Sequence, residues 1–334
     1  MNQGHVTVLL QEAVDSLRTR AGGIYIDGTF GGGGHSRELL ERVNGDATLY
    51  VIDADPDAIA RAEALRATEL GRGVIPVHDN FRNLADIARE YEIPPADGLL
   101  FDLGLSSFQL DQAARGFAFR FEGPLDMRFD NTSGISAADV VNTSPAEDLA
   151  NIFWRFGEEK QSRRIARAIA ERRSTTPFET TSDLASFIEN TMGGRRGKSI
   201  HPATRSFQAL RIAVNEELTA LEDVLEAAVD LMAPESRLAV ISFHSLEDRI
   251  VKQFIAREIA TCICPPDVPV CVCHHSPRLK RIGKPIKPSA AEQANNTRSR
   301  SAIMRVAERL ARSTHAEERD ETLYPESGPG GNRR

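Results

Sequence analysis

The chain has 334 residues, 41% of them hydrophobic, with 41 Lys/Arg against 48 Asp/Glu and a formal net charge of −7. That length points to two domains, or to one domain with a large insertion, and the net charge excludes a globally basic nucleic-acid binder. No apolar run approaches the ~20 residues of a membrane span, and the first 17 residues, with Glu12 and Asp15, lack the basic start and apolar block of a signal peptide, so a cytoplasmic, membrane-free protein is expected.

Residues 23–27 read as a short buried strand, followed by the turn Gly28-Thr29-Phe30-Gly31-Gly32-Gly33-Gly34-His35. Residues 36–43 have helical character, with Leu39, Leu40 and Val43 on one side. A strand is predicted over 48–53 and an alanine-rich helix over 56–70, with Pro56 in its first turn. A third strand over 73–78, a helix over 84–91 and a fourth strand over 98–103, apolar apart from Asp102, complete this part. Such alternation implies a parallel sheet with right-handed crossovers.

The pattern then changes. Residues 115–205 carry few strand signals, and their periodicity predicts helices over 148–156, 163–173 and 182–192, the last capped by Thr181 or Ser182. Alternation resumes with one long helix over 215–231, a strand over 237–243, a helix over 246–258 and a closing strand over 301–308. A cysteine segment and a Pro/Lys-rich stretch, 277–288, interrupt it. The expected division is a discontinuous α/β domain over 1–112 and 208–312, a helical insertion over 113–207 that recognises substrate, and a polar, disordered tail over 313–334.

Charge is distributed unevenly. Residues 155–211 hold 12 Lys/Arg against 6 Asp/Glu, and residues 276–309 hold 9 against 2. Basic regions on an acidic chain fit a polyanion held on one face, and they also fit plain solvated helix faces.

A glycine cluster after a first strand lets the backbone approach a ligand, and the next helix offers free N–H groups to it. Asp53 ends the second strand, where a carboxylate commonly binds ribose hydroxyls, and Asp102 ends the fourth, at the carboxyl edge where open α/β sheets bind ligands. The dinucleotide fingerprint Gly-x-Gly-x-x-Gly fails: counted from Gly31 it meets Ser36, and counted from Gly28 it meets Phe30. S-adenosylmethionine (SAM) has no pyrophosphate to cradle and suits a looser turn with acidic strand ends. An NAD-dependent oxidoreductase is the rival on this reading.

Several stretches together resemble one family. They include His5-Val6-Thr7-Val8-Leu9-Leu10, Tyr25-Ile26-Asp27-Gly28-Thr29-Phe30-Gly31, Gly33-Gly34-His35-Ser36, Asp102-Leu103-Gly104-Leu105-Ser106-Ser107 and Gln109-Leu110-Asp111. Arg115-Gly116-Phe117, Gly123-Pro124-Leu125-Asp126-Met127-Arg128, His201-Pro202-Ala203-Thr204-Arg205 and Ser242-Phe243-His244-Ser245-Leu246-Glu247-Asp248-Arg249 follow. In these the chain is similar, over about residues 5 to 310, to the MraW family of bacterial small-subunit (16S) ribosomal RNA cytosine-N4 methyltransferases. The resemblance implies a class I SAM-dependent methyltransferase with an inserted helical domain, acting on 16S rRNA within the small subunit, near the ribosomal P site. By matched motif it implies that Gly33, Gly34 and His35 line the SAM turn, that Asp53 holds the ribose, that Phe81 sits against the adenine, and that Asp102 and Gln109 complete the cofactor site. A ribosome-assembly factor that keeps a SAM pocket without turnover is the second rival.

The exocyclic amine of cytosine is a poor nucleophile because its lone pair is delocalised. Acceptors for its N–H groups, and alignment with the methyl donor, are the expected means of catalysis. Asp102, Ser106 and Ser107 are the catalytic candidates, and no metal is assigned to the site. Asp126, Arg128, His201, Arg205 and His244 are candidate substrate contacts, against the alternatives of a structural ion pair for Asp126 and Arg128, a helix cap at His201 and a buried histidine at 244. Cys262, Cys264, Cys271 and Cys273 lie in one short segment. They could hold tetrahedral zinc, although the usual knuckle has two residues between cysteines rather than one; reduced packing cysteines and redox pairing are the other readings.

Overall fold

The structure, a computed structural model, describes residues 7–311 apart from 196, 198, 199, 266, 268 and 269. The motif residues His5 and Val6 and the tail from 313 lie outside the described residues. Seven strands form one sheet: β1 (Gly23–Asp27), β2 (Ala47–Asp53), β3 (Val74–His78), β4 (Ala96–Asp102), β5 (Met232–Ser242), β6 (Leu279–Ile286) and β7 (Ile303–Arg309). Their order is β3-β2-β1-β4-β5-β7-β6. β1 to β5 are parallel, and β7 runs antiparallel between β5 and β6.

The central strands are apolar on both faces because helices cover both. Period-two alternation sorts their side chains into two cores. Ile26, Ile52, Leu99, Phe101, Leu238 and Val240 pack with Leu221, Val224 and Leu225 on one side. Tyr25, Leu49, Val51, Leu100, Ala239 and Ile241 pack with Val14, Leu17, Leu39 and Leu40 on the other. The chain crosses from β1 outward to β2 and β3, then returns to β4 and β5, so the direction of winding reverses between β1 and β4. A crevice opens outside the carboxyl ends of strands at such a point.

Residues 103–231 separate the adjacent strands β4 and β5. They contain helices at Ala137–Thr143, Ala146–Gly157, Ser162–Arg173 and Thr181–Thr191. These bury a third core around Leu149, Phe153, Ile165, Phe178, Leu184 and Ile188, to which Phe207 and Leu210 also belong.

Several elements differ from expectation. The helix expected over 215–231 is present as Glu217–Leu231, but a second helix, Thr204–Asn215, precedes it, and Glu216 between them is left-handed with φ 49°. Asn215 ends the earlier of these helices, and its side chain donates to Met127 O and accepts from Phe129 N. The helix over 56–70 ends at Arg66, where the Thr68 hydroxyl donates to Leu65 O. Thr180, not Thr181 or Ser182, caps its helix, accepting from Asp183 N. The Pro/Lys-rich stretch holds strand β6, whose charges and proline conceal a strand period and suit an exposed sheet edge. The helix Leu10–Leu17 was not anticipated.

Phe153 is fully buried in the third core. Phe153→Ala should lower unfolding stability by about 3–5 kcal/mol, measured by urea denaturation; a loss below ~1 kcal/mol would show that this core is loosely packed.

Candidate functional site

A cavity of about 650 Å³ opens beyond the carboxyl ends of β1, β2 and β4, within the size range of small-molecule sites. Its floor is the glycine turn. Gly31 adopts φ 51°, and its peptide is held from both sides: its N–H donates to Asp53 Oδ2 at 2.8 Å, and its carbonyl accepts from Arg61 Nε at 3.0 Å. Gly33, at φ 74°, precedes the helix Gly34–Arg42 and faces the Phe30 ring, which a side chain there would strike. Gly34 and His35 line the cavity, and Gly33 does not. The buried His35 ring has Nε2 3.1 Å from Val8 O and Nδ1 3.7 Å from Asp102 Oδ2.

Three neighbouring strands end in carboxylates. Asp27 accepts from Ser36 Oγ at 2.6 Å and from Thr29 N at 3.2 Å, and burial raises its pKa to about 6. Asp53 accepts from the Gly31 and Asp55 N–H groups and is likewise raised to about 6 by burial, with the charges of Asp55 and Asp27 adding to it. Asp102 is pushed well above the usual carboxylate range by burial, then by the charges of Asp27 and Glu247. Its Oδ1 is buried and has no hydrogen-bond partner among the described residues. Asp53 and Asp102 line the cavity.

One wall is braced from Asp55, which caps the helix Pro56–Arg66. The buried Asp55 carboxylate accepts from Gln109 Nε2 at 3.0 Å and from Arg115 Nη1 at 2.9 Å. Gln109 Oε1 accepts from Ser106 N, and Ser106 Oγ accepts from Gln109 N, closing a capping box on the helix Ser107–Asp111. Ser106, Ser107 and Gln109 all line the cavity, with the Gln109 amide already engaged in this brace. Phe81 lines it too, its ring edge-on to Phe101 at 6.0 Å.

The opposite wall brings in Asn215, Glu217, Phe243 and Glu247. Arg211 forms a two-pronged bond with Glu217. Burial pushes the Glu217 carboxyl up. Burial acts on Glu247 in the same direction, but His244, Arg211 and the Phe243 N–H outweigh it and hold that carboxyl below its ordinary value.

The five candidate substrate contacts do not line the cavity. Arg128 donates to both oxygens of Asp126, at 3.0 and 2.6 Å. His201 Nε2 lies 3.1 Å from Glu189, and its Nδ1 accepts from Ala203 N just before the next helix. Arg205 donates to Glu158 O at 3.4 Å. His244 caps the helix Ser245–Ile259, accepting from Glu247 N.

Sequence reasoning passed over Asp55, Arg115, Glu217 and Glu247. Asp55-Pro56 is a helix-start signature, and Glu247, three residues after the cap, completes a capping box. Those signals mark helix starts, not cavity walls; the Arg115 partnership crosses 60 residues of chain.

The sequence profile of the MraW methylase family matches residues 2–310. "Ribosomal RNA small subunit methyltransferase H" of Thermomicrobium roseum is 56% identical over 92% of this chain and 94% of its own length. The protein of that name from Carboxydothermus hydrogenoformans is 48% identical over 93% of this chain and 99% of its own. Among solved structures, an rRNA methylase from Streptococcus thermophilus is 10% identical, covering 92% of this chain and 100% of its own, with a TM-score of 0.41; a likeness that distant carries no argument about function.

Arg115→Met would leave Asp55 a buried carboxylate without its cation, an expected loss of about 3–5 kcal/mol in unfolding stability. Adding Asp55→Asn should restore more than half of that loss; a double variant no more stable than Arg115→Met would show that the pair is not coupled.

Proposed function

We propose that this chain, which belongs to the MraW methylase family, methylates the N4 amine of a cytosine in 16S rRNA near the ribosomal P site, using SAM in the cytoplasm. Its sheet, with β7 antiparallel between β5 and β6, is the class I SAM-dependent methyltransferase fold. Methylation of small-subunit ribosomal RNA is what relatives at 46–56% identity are named for; the N4 position and the P-site location rest on the family resemblance.

The observation that carries the reading is the acidic edge of the cavity. Asp53 and Asp102 line it with raised pKa values, and Asp102 Oδ1 is buried without a partner among the described residues. A ligand with hydroxyl donors and positive charge satisfies both. The pyrophosphate of a dinucleotide would meet these carboxylates with like charge, which disfavours the NAD alternative.

When bound, SAM supplies a methyl carbon made electrophilic by its sulfonium. The chain's own residues do the rest. Asp53 keeps lone pairs for ribose hydroxyls after accepting from Gly31 and Asp55, Phe81 flanks the adenine, and Gly34 and His35 form the floor. Asp102 accepts a hydrogen bond from the target amine and then its proton, and the burial that raises its pKa makes it the stronger base. Ser106 and Ser107 line the same cavity and serve as further acceptors. The rate gain comes from holding amine and methyl in line and from acceptors fixed before charge develops.

Substrate docking is assigned to the helical part. A groove there is lined by Lys160, Arg163, Arg164 and Arg167, with Trp154 58% exposed at its side. Cations beside an exposed aromatic ring suit backbone contact and base stacking on single-stranded RNA. Arg195 belongs to the same part of the chain; its neighbour Arg196 lies outside the described residues.

Three outcomes are expected. Mass spectrometry of small-subunit rRNA from a deletion strain should lose N4-methylcytosine and regain it when the wild-type gene, but not Asp102→Asn, is restored; unchanged N4-methylcytosine would refute the assignment, and full rescue by the variant would refute the role of Asp102 and revive a factor without turnover. A bound cation favours ionised carboxylates, so SAM affinity should hold above pH ~6 and fall as pH drops through that value, where Asp53 takes up a proton. Calorimetry showing equal affinity at low and neutral pH would count against it. Arg163→Glu with Arg164→Glu should weaken binding of the small subunit at least about tenfold and leave SAM affinity unchanged; equal loss of both would point to misfolding instead of docking.

A further inference from the structure

Cys262-x-Cys264 and Cys271-x-Cys273 sit on the loop between the helix Ser245–Ile259 and β6, away from the cavity. The fold brings all four sulfurs together, every pair within 4.8 Å. The Sγ–Sγ separations are 3.4 Å for Cys262–Cys271, 3.5 Å for Cys271–Cys273, 3.9 Å for Cys262–Cys273 and 4.0 Å for Cys264–Cys271. Zinc–sulfur bonds of about 2.3 Å in a tetrahedron set the sulfurs ~3.8 Å apart. A disulfide needs about 2.05 Å, and all four cysteines are free.

Two further observations point the same way. The Ile263, Cys264 and Val272 N–H groups donate to Cys273, Cys262 and Cys264 Sγ, each at 3.4 Å, the bonds that stabilise charge on a sulfur ligand. Among the described residues the segment's apolar side chains are also left open: Ile263, Val270 and Val272 are 46%, 70% and 66% exposed. A segment that buries so little needs another tie to hold one shape. His275 faces Arg257 O at 3.0 Å, leaving the four sulfurs as a closed ligand set.

We propose that Cys262, Cys264, Cys271 and Cys273 bind one structural zinc ion as four thiolates, fixing this loop independently of methyl transfer. Each thiol releases its proton to solvent as its sulfur–zinc bond forms. The site needs no redox partner.

The test uses the full chain with a cysteine- and histidine-free tag, purified with reductant and without chelator. Elemental mass spectrometry should find about one zinc per chain. Cys271→Ser with Cys273→Ser should lose it while SAM affinity by calorimetry stays within about twofold, since the cavity is elsewhere. Cobalt(II) added to metal-free chain should give the visible absorption of a tetrahedral thiolate site. A chain that arrives metal-free and takes up neither zinc nor cobalt would overturn the proposal, as would iron in place of zinc or a disulfide among these cysteines in peptide mapping. Should the double variant fail to fold, wild-type stoichiometry and the cobalt spectrum decide.

Discussion

Three adjacent parallel strands each end in an aspartate at one edge of the sheet, and burial acts against the charge of all three. Unpaired carboxylates in such a place are costly, so their surroundings are specified closely. Asp27 has a serine hydroxyl and a backbone N–H, and Asp53 has two backbone N–H groups. Asp102 has only the His35 ring at 3.7 Å beside one oxygen and nothing on the other among the described residues. The glycine turn, the Ser36 hydroxyl and the bend at Gly31 are all positioned by this edge. Asp27 and Asp53 each have two donors, and Asp102, which lines the cavity, is the least satisfied of the three.

The helical part is joined to the sheet through buried polar contacts. Arg115 reaches from Asp55 to the carbonyls of Arg128 and Phe129. Asn215 grips Met127 O and Phe129 N from the other side. The same short segment is therefore clasped by a residue that leaves the first half of the sheet and by one that returns toward the second. Asp126 and Arg128, which look like substrate groups in the sequence, pair with each other within this segment.

Most of the sheet was readable because its central strands are apolar runs, three of them ended by aspartate, and local chemistry sets those ends. The glycine turn and Asp53 and Asp102 were readable for the same reason. What escaped depends on distant partners. The helix that ends at Asn215, just before the left-handed Glu216, has its last side chain bound 86 and 88 residues away. β6 is hidden because an edge strand carries charge where a central one carries valine. The Gln109 amide, read by family motif as a cofactor contact, also donates to Asp55, 54 residues distant, a brace that no local signal shows.

Strands β4 and β5 are hydrogen-bonded neighbours, yet residues 103–231 lie between them. A chain growing from its N-terminus makes Asp27, Asp53 and Asp102 well before Glu217, Phe243 and Glu247 exist. The entropy of closing so long a connection rises only slowly with its length, so the equilibrium penalty is modest, but the delay is real. Until the later segments arrive, the part of the lining that Asn215, Glu217, Phe243 and Glu247 supply is missing. The cavity is therefore completed only when residues more than a hundred positions beyond Asp102 have joined it.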